Sequence, residues 1–334
     1  MSDTKTVGGG GTKLLLARFR LFFILILLMA VLSVVSPRFL SLENLSNVLW
    51  SVCIIGIMCS GFIYSPITGG IDLSVGSMVA LAGIIANVLM NIVHMPMLPA
   101  LLLTLVFGLL VGLVNGVVTT KFRVPPFIVT MAAKTYLFGI AMFVSNGDTI
   151  TIMGPKDFLS IGVGKFLGLP IPIYIMVVMI IASHILLKHT VFGRRAIAVG
   201  ANEVSAKLSG VNPDSTRILA YVISSGTATV AGIVMASLTQ QAYAPNAAGY
   251  EFDVITAVVI GGTSLLGGSG SVAGALIGAV MVGFINNGLN LMNMPASFHP
   301  LVTGIVILIA LILNQGFTLP AWMKPKKRAA GGQA

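Results

Sequence analysis

The chain has 334 residues, of which 56% are hydrophobic and only 8% charged, and its mean hydropathy is +1.01. Soluble domains usually carry about 25% charged residues, so this composition excludes an ordinary soluble enzyme. The net charge of +10 would suggest nucleic acid in a soluble protein; here it is read as the charge bias of a polytopic membrane protein, with no nucleic-acid partner. Low polarity excludes intrinsic disorder, and a disulfide scaffold is excluded because the only cysteines are Cys53 and Cys59, together in one apolar run. Both are expected in core packing or against lipid.

A bilayer core of about 30 Å takes roughly 20 helical residues. Ten apolar windows of about that size follow in chain order: 19–36, 47–66, 74–93, 97–118, 126–145, 170–187, 217–241, 252–266, 271–292 and 299–316. The expected fold is an all-α membrane protein of about ten transmembrane helices. The eighth window is too short to span comfortably and reads as a broken or re-entrant helix. Residues 1–18 form a polar, Gly-rich amino-terminal segment without a signal-peptide cleavage pattern, 19–316 a single membrane domain, and 317–334 a basic tail. Lys and Arg are retained on the cytoplasmic side. With the amino terminus inside, Lys121 and Arg123, the basic residues of 188–217 and those of KPKKR all fall in the cytoplasm, leaving Arg38, Lys156 and Lys165 outside. Both termini are thus expected to be cytoplasmic, with the tail free to touch anionic lipid headgroups.

Between the second and third windows lies SPITGGIDLSVGS, residues 65–77. Gly69 and Gly70 permit a backbone that breaks a helix, Asp72 is a carboxylate, and Ser74 opens the next helix. A broken helix at membrane depth is tolerated only where it packs in protein or lines a watery cavity. Asp72 is read as a helix cap in preference to a substrate contact, with the break shaping the pathway. GGTSLLGGS at Gly261–Ser269 matches GGIDLSVGS at five of nine positions, which fits either an internal repeat of the transporter kind or the chance recurrence of a common residue.

Polar residues within apolar spans are costly and tend to face a partner or a cavity. Lys134, about 12 Å along its helix from Pro126, is expected to snorkel to the inner surface in preference to pairing with a carboxylate. Asn286 and Asn290 share a helical face in FINNGLNLM, where interhelical bonding and pore lining both fit. Besides Asp72, the spans carry carboxylates only at Glu251 and Asp253. His184 and His189 lack partners of other ligand types, so no metal site is expected.

The longest polar stretch is 188–217. Asn202 can cap a helix over EVSAKLSG, and Gly210 stops it before the turn at Asn212–Asp214. Either this is a solvated connector, or its small residues, Ala201, Ser205, Ala206, Ser209 and Gly210, form a low knob fit for a groove of another protein. No phosphate-binding G-x-x-x-x-G-K-[ST] run occurs, since the only Gly-Lys pair is Gly164-Lys165 followed by Phe166. The spans also lack the carboxylate and histidine chain of a proton-coupled carrier.

Four runs together, TGGIDLSVGS (68–77), FGRRAIAVGANEVSAKLSGVN (192–212), GYEFDVITAVVIGGTSLLGGSGS (249–271) and FINNGLNLM (284–292), resemble the permease subunits of bacterial ABC sugar importers of the ribose-type branch. The resemblance spans about residues 20–316. It implies a type II importer-like fold in the inner membrane, a second permease copy, identical or related, and separate ATPase subunits holding ATP and Mg²⁺. A periplasmic binding protein would deliver the sugar. The family's cytoplasmic coupling helix would fall on Gly200, Asn202, Glu203, Ala206, Ser209 and Gly210, and the chain itself would have no catalytic residues or cofactor. Departures are Gly200-Ala201-Asn202, where Gly-Gly-Asn is common, and Lys134, where Arg is frequent. The competing reading is an ion-coupled secondary carrier for a small polar solute.

Overall fold

A computed structural model describes residues 22–23, 25–34, 36–151, 156–295 and 297–314. The terminal segments 1–18 and 317–334, and with them the basic tail, lie outside the described residues. The helices in chain order are α1 (Leu25–Val34), α2 (Leu42–Phe62), α3 (Tyr64–Ile67), α4 (Val75–Asn91), α5 (Met97–Lys121), α6 (Pro126–Val144), α7 (Lys156–Val163), α8 (Ile171–His189), α9 (Val191–Ala201), α10 (Glu203–Leu208), α11 (Pro213–Thr239), α12 (Tyr250–Ile260), α13 (Val272–Leu291) and α14 (Phe298–Asn314). A 3₁₀ turn at Ala244–Ala247 and two antiparallel pairs of two-residue strands complete the described structure: β1 (Ile150–Thr151) with β4 (Gln241–Ala242), and β2 (Lys165–Phe166) with β3 (Leu169–Pro170).

Six helical stretches among the described residues are long and apolar enough to cross a membrane: Leu42–Ile67, Met97–Lys121, Pro126–Val144, Ile171–His189, Pro213–Thr239 and Val272–Leu291. The remaining four windows give shorter helices, Leu25–Val34, Val75–Asn91, the eleven residues of α12, and Phe298–Leu311. Polytopic all-α architecture therefore stands, whereas ten full spans do not follow from helix length. The eighth window is short because Gly261 and a left-handed Gly262 (φ +87°) end α12, and the chain stays irregular until Ser271 caps α13 by accepting from the Gly274 amide.

The centre of the molecule is α11, packed against α2, α4 and α5. In lipid no hydrophobic drive separates one apolar helix from another, and close approach over small residues takes its place. Gly108, Gly112 and Gly116 on α5 form such a ridge: a Cβ at Gly116 would stand 2.7 Å from the Ile218 Cα, and one at Gly112 2.5 Å from the Tyr221 carbonyl oxygen. Any larger side chain there would force the helices apart. Asn212 starts α11 by accepting from the Ser215 amide, with Pro213 at the first helical position. Cys53 and Cys59 are free and buried in the α2 core, which decides between the two expectations for them. By contrast, α5, α6 and α8 keep many large apolar side chains exposed, among them Leu102, Phe127 and Val178, as expected of surfaces that meet lipid.

The chain alternates between two ends. One, the basic end, gathers residues 122–125, α9, α10 and the start of α11, joined by ion pairs Lys121–Asp214 (2.9 Å) and Glu203–Arg217 (2.8 Å). The other gathers β1·β4, α7 and the turns at 36–41 and 292–295. There the Ser237 hydroxyl donates to the Phe158 carbonyl (2.6 Å) and accepts from the Gly162 amide (2.7 Å), tying α7 to the end of α11.

Candidate functional site

The first interruption separates α3 from α4. Gly69 takes a left-handed φ of +82°, and the Gly70 amide returns to the Ser65 carbonyl at 2.9 Å, so α3 ends in a glycine turn. Gly70 is buried, and a Cβ there would run into the Tyr221 hydroxyl. Asp72 is fully buried. One carboxylate oxygen accepts from the Ser74 amide (3.1 Å) and hydroxyl (2.5 Å), and the other from the Ser224 hydroxyl of α11 (2.7 Å). The Ser74 hydroxyl in turn accepts from the Asn115 amide of α5 (3.1 Å). Asp72 thus closes the start of α4 and joins it to α5 and α11, and it lines none of the described cavities. Ser224 and Asn115 went unrecognised in the sequence, because nothing local links them to a residue so far away along the chain.

The second interruption, 261–271, meets the first through α9. The Gly268 amide donates to the Ile67 carbonyl (2.9 Å), and Gly200, at the end of α9, lies so close that a Cβ there would run into that same carbonyl and the Gly268 amide. Gly200 is therefore a half-buried packing residue where the two interruptions meet. Arg217 adds a further tie: its Nε donates to the Thr68 carbonyl (3.2 Å) while Nη2 pairs with Glu203.

Beyond Gly200 the surface helix forms as its capping residues require. Asn202 is simultaneously the last cap of α9 and the first cap of α10, accepting from the Ser205 amide at 2.9 Å, and a left-handed Gly210 (φ +79°) follows the helix end. Ser209 and Glu203 are exposed, but Ala206 is buried beneath α10, contrary to the knob expectation. The side chains that project are Val204 and Leu208, one turn apart and 68% and 85% exposed. An open cavity of about 870 Å³, walled by Gly69, Arg123, Glu203, Lys207 and Asp214, lies beside α10.

Toward the opposite end, the first turn of α12 carries Glu251 and Asp253. Glu251 is buried against Gly76 and pairs with Lys134 at 2.5 Å, while the Lys134 ammonium lies 5.2 Å from the Phe252 ring centroid. Lys134 therefore does not snorkel. A carboxylate within reach on a neighbouring helix holds it, and because that partner lies 117 positions away in sequence it could not be read from the span itself. Asp253 accepts from the Asn286 amide (3.1 Å) and more loosely from the Thr303 hydroxyl (3.4 Å). Asn286 and Asn290 face a cavity of about 880 Å³ between α12, α13 and α14, whereas Asn287 points away and exchanges two hydrogen bonds with Asn44 of α2 (2.7 and 2.9 Å). Among the described residues no three His, Cys, Asp or Glu side chains gather as metal ligands.

Comparison with known proteins settles the family. Residues 44–311 match the family described as branched-chain amino acid transport system / permease component. This chain belongs to that permease family. Among curated relatives, the permease is 38% identical over 299 residues to the ribose import permease protein RbsC of Haemophilus influenzae, covering 88% of this chain and 92% of that protein. It is 37% identical to the Escherichia coli K12 protein of the same name (93% and 98% covered) and 33% identical to the L-arabinose ABC transporter permease protein AraH of Azospirillum brasilense (92% and 90%). No solved structure matches. The matched stretch takes in both interruptions, α9 and α10.

Proposed function

We propose that this permease is the membrane subunit of an ATP-driven bacterial importer that carries a monosaccharide, ribose or a close relative, across the inner membrane. Two permease copies, identical or related, enclose the route. Ten helical segments enter the membrane, both termini are cytoplasmic, and the basic end faces the cytoplasm. Separate ATPase subunits holding ATP and Mg²⁺ dock there, and a periplasmic binding protein delivers sugar to the other end. This chain supplies no catalytic residue.

The observation that carries the reading is the α9–α10 unit. Val204 and Leu208 offer a short apolar ridge to a partner, and immediately behind them Gly200 touches both interrupted segments. Packed backbone transmits displacement because interiors are dense and compress little, so a push on α10 is felt at both interruptions without an intervening side-chain relay. The names of the relatives support the sugar assignment, and the segregation of Lys and Arg supports the sidedness.

The test is uptake of labelled ribose by vesicles holding the permease, its ATPase and its binding protein. Uptake should require ATP and all three components. ATP-driven uptake by the permease alone, or uptake driven by a proton or sodium gradient without the ATPase, would overturn the proposal and favour a secondary carrier.

A further inference from the structure

The cavity between α12, α13 and α14 is built from two polar rows that converge on one carboxylate. On α13, Asn286 and Asn290 are one turn apart; on α14, His299 and Thr303 are one turn apart; Asp253 of α12 stands between them and bonds to one member of each row. An ionised carboxylate has about four acceptor positions, and Asp253 has two bonds, one of them long. Asn290 is exposed and its amide has no protein partner among the described residues, and the same holds for the half-exposed His299 ring. Acceptor and donor capacity is thus left over on every side of the space. Its volume, about 880 Å³, lies within the range of about 300–1,000 Å³ typical of small-ligand sites, which combine apolar walls with a few placed polar groups. Here Tyr250 and the aliphatic face of α14 are the walls.

Cost argues that the cavity is wet. A carboxylate, an amide and an imidazole facing hydrocarbon would each be expensive, and such groups persist in membrane helices where they meet water, solute or protein. Charge then selects the solute. Among the described residues no Lys or Arg lines the space, and the positive end of α12 already faces its own Glu251 and Asp253. An anion, or the carboxylate of an amino acid, would meet the Asp253 charge with no Lys or Arg among the described residues to offset it. A neutral molecule with adjacent hydroxyls fits: two O–H groups donate to the free acceptor positions of Asp253, and Asn290 both donates and accepts.

We infer that Asp253, Asn286, Asn290 and His299 form a transit site for an uncharged polyhydroxy solute in the half of the permease away from the α9–α10 unit. The inference rests on the importer reading and deepens it, separating a sugar cargo from the amino acid named in the family description.

The experiment uses the complete transporter in vesicles, with labelled D-ribose and L-leucine as probes. Asp253→Asn keeps the size of the side chain and its ability to accept from Thr303, and it should lower ribose uptake at least tenfold, with Asp253→Glu recovering part of it. Wild-type ribose uptake in Asp253→Asn would overturn the site while leaving the importer reading intact; absence of ribose uptake by the wild-type complex would overturn both. Should Asp253→Asn fail to assemble, Asn290→Cys decides. A membrane-impermeant charged thiol reagent should modify it, and ribose, but not leucine, should slow the reaction. No modification, or modification indifferent to ribose, would contradict a wet sugar site.

Discussion

The two interrupted segments have matching letters and different structures. In the first, Gly69 is left-handed, Gly70 is packed against Tyr221, and Gly76 is already inside α4; in the second, the aligned Gly261 is right-handed, Gly262 is left-handed over open space, and Gly268 is left-handed again (φ +78°). The first is buried almost throughout and bound by the Asp72 network, whereas the second is partly exposed and its aligned Ser264 only caps its own turn through the Leu266 amide (3.2 Å). The shared run is thus no structural repeat in register. Glycine spacing announces that a helix stops, but the direction of the chain afterwards is set by neighbours: Tyr221, Ser224 and Asn115 in one case, and Gly200 and Ala201 in the other.

The largest effect should come where the two segments share a neighbour. Gly200→Val would drive methyl groups into the Ile67 carbonyl and Gly268 backbone, and overpacking against backbone costs about 1–3 kcal/mol or more. We expect a clearly lowered melting temperature of the detergent-solubilised permease and loss of ribose uptake by the reconstituted transporter. Survival of both would separate the segments from α9. Next comes the contrast at Asp72. Asp72→Leu strands the Ser74 and Ser224 hydroxyls in the interior, and each unsatisfied buried group costs about 1–3 kcal/mol. Asp72→Asn retains an acceptor and should cost about 1 kcal/mol, as for one lost hydrogen bond, with transport per folded complex unchanged. Equal melting temperatures for the two variants would mean that the network does not hold the break. The smallest effect is expected in the second segment: Ser264→Ala, at a half-exposed turn, should change stability by about 0.5 kcal/mol or less. A loss as large as that of Asp72→Leu would erase the distinction between the segments.

Much of the break was legible in the sequence. Two glycines followed by a carboxylate and serines mark where one helix stops and the next starts, although the N-cap Ser74 makes no capping bond and Asp72 accepts instead from the amide and hydroxyl of Ser74 itself; Asn202, Gly210 and Asn212 mark the ends of α10 and the start of α11 as their local hydrogen bonding requires. What stayed hidden depends on distant neighbours. Ala206 turned inward because α10 rests on the body of the protein, and helix periodicity cannot say which side of a six-residue helix is covered. Lys134 found Glu251 for the same reason, and Asp253 belongs with Asn286 only once α12 and α13 are packed. The helix α9 went unread inside a stretch taken for a loop, although Thr190 caps it by accepting from the Gly193 amide at 3.3 Å. The Gly108, Gly112 and Gly116 ridge was readable in principle, since small residues four apart on an apolar helix mark a close helix contact.

Common motion of α10 with both interruptions is read most directly as a distance. Spin labels at Lys207→Cys on α10 and Leu266→Cys in the second segment occupy exposed positions, and the native Cys53 and Cys59 are buried. In an assembled transporter in which only one permease copy carries the labels, the label–label distance distribution should be the same without nucleotide and with ATP trapped, because the α9 end and the 261–271 segment travel together. A second, resolved distance appearing only in the ATP-trapped state would contradict this, and would mean that α10 slides past the segment that Gly200 now holds.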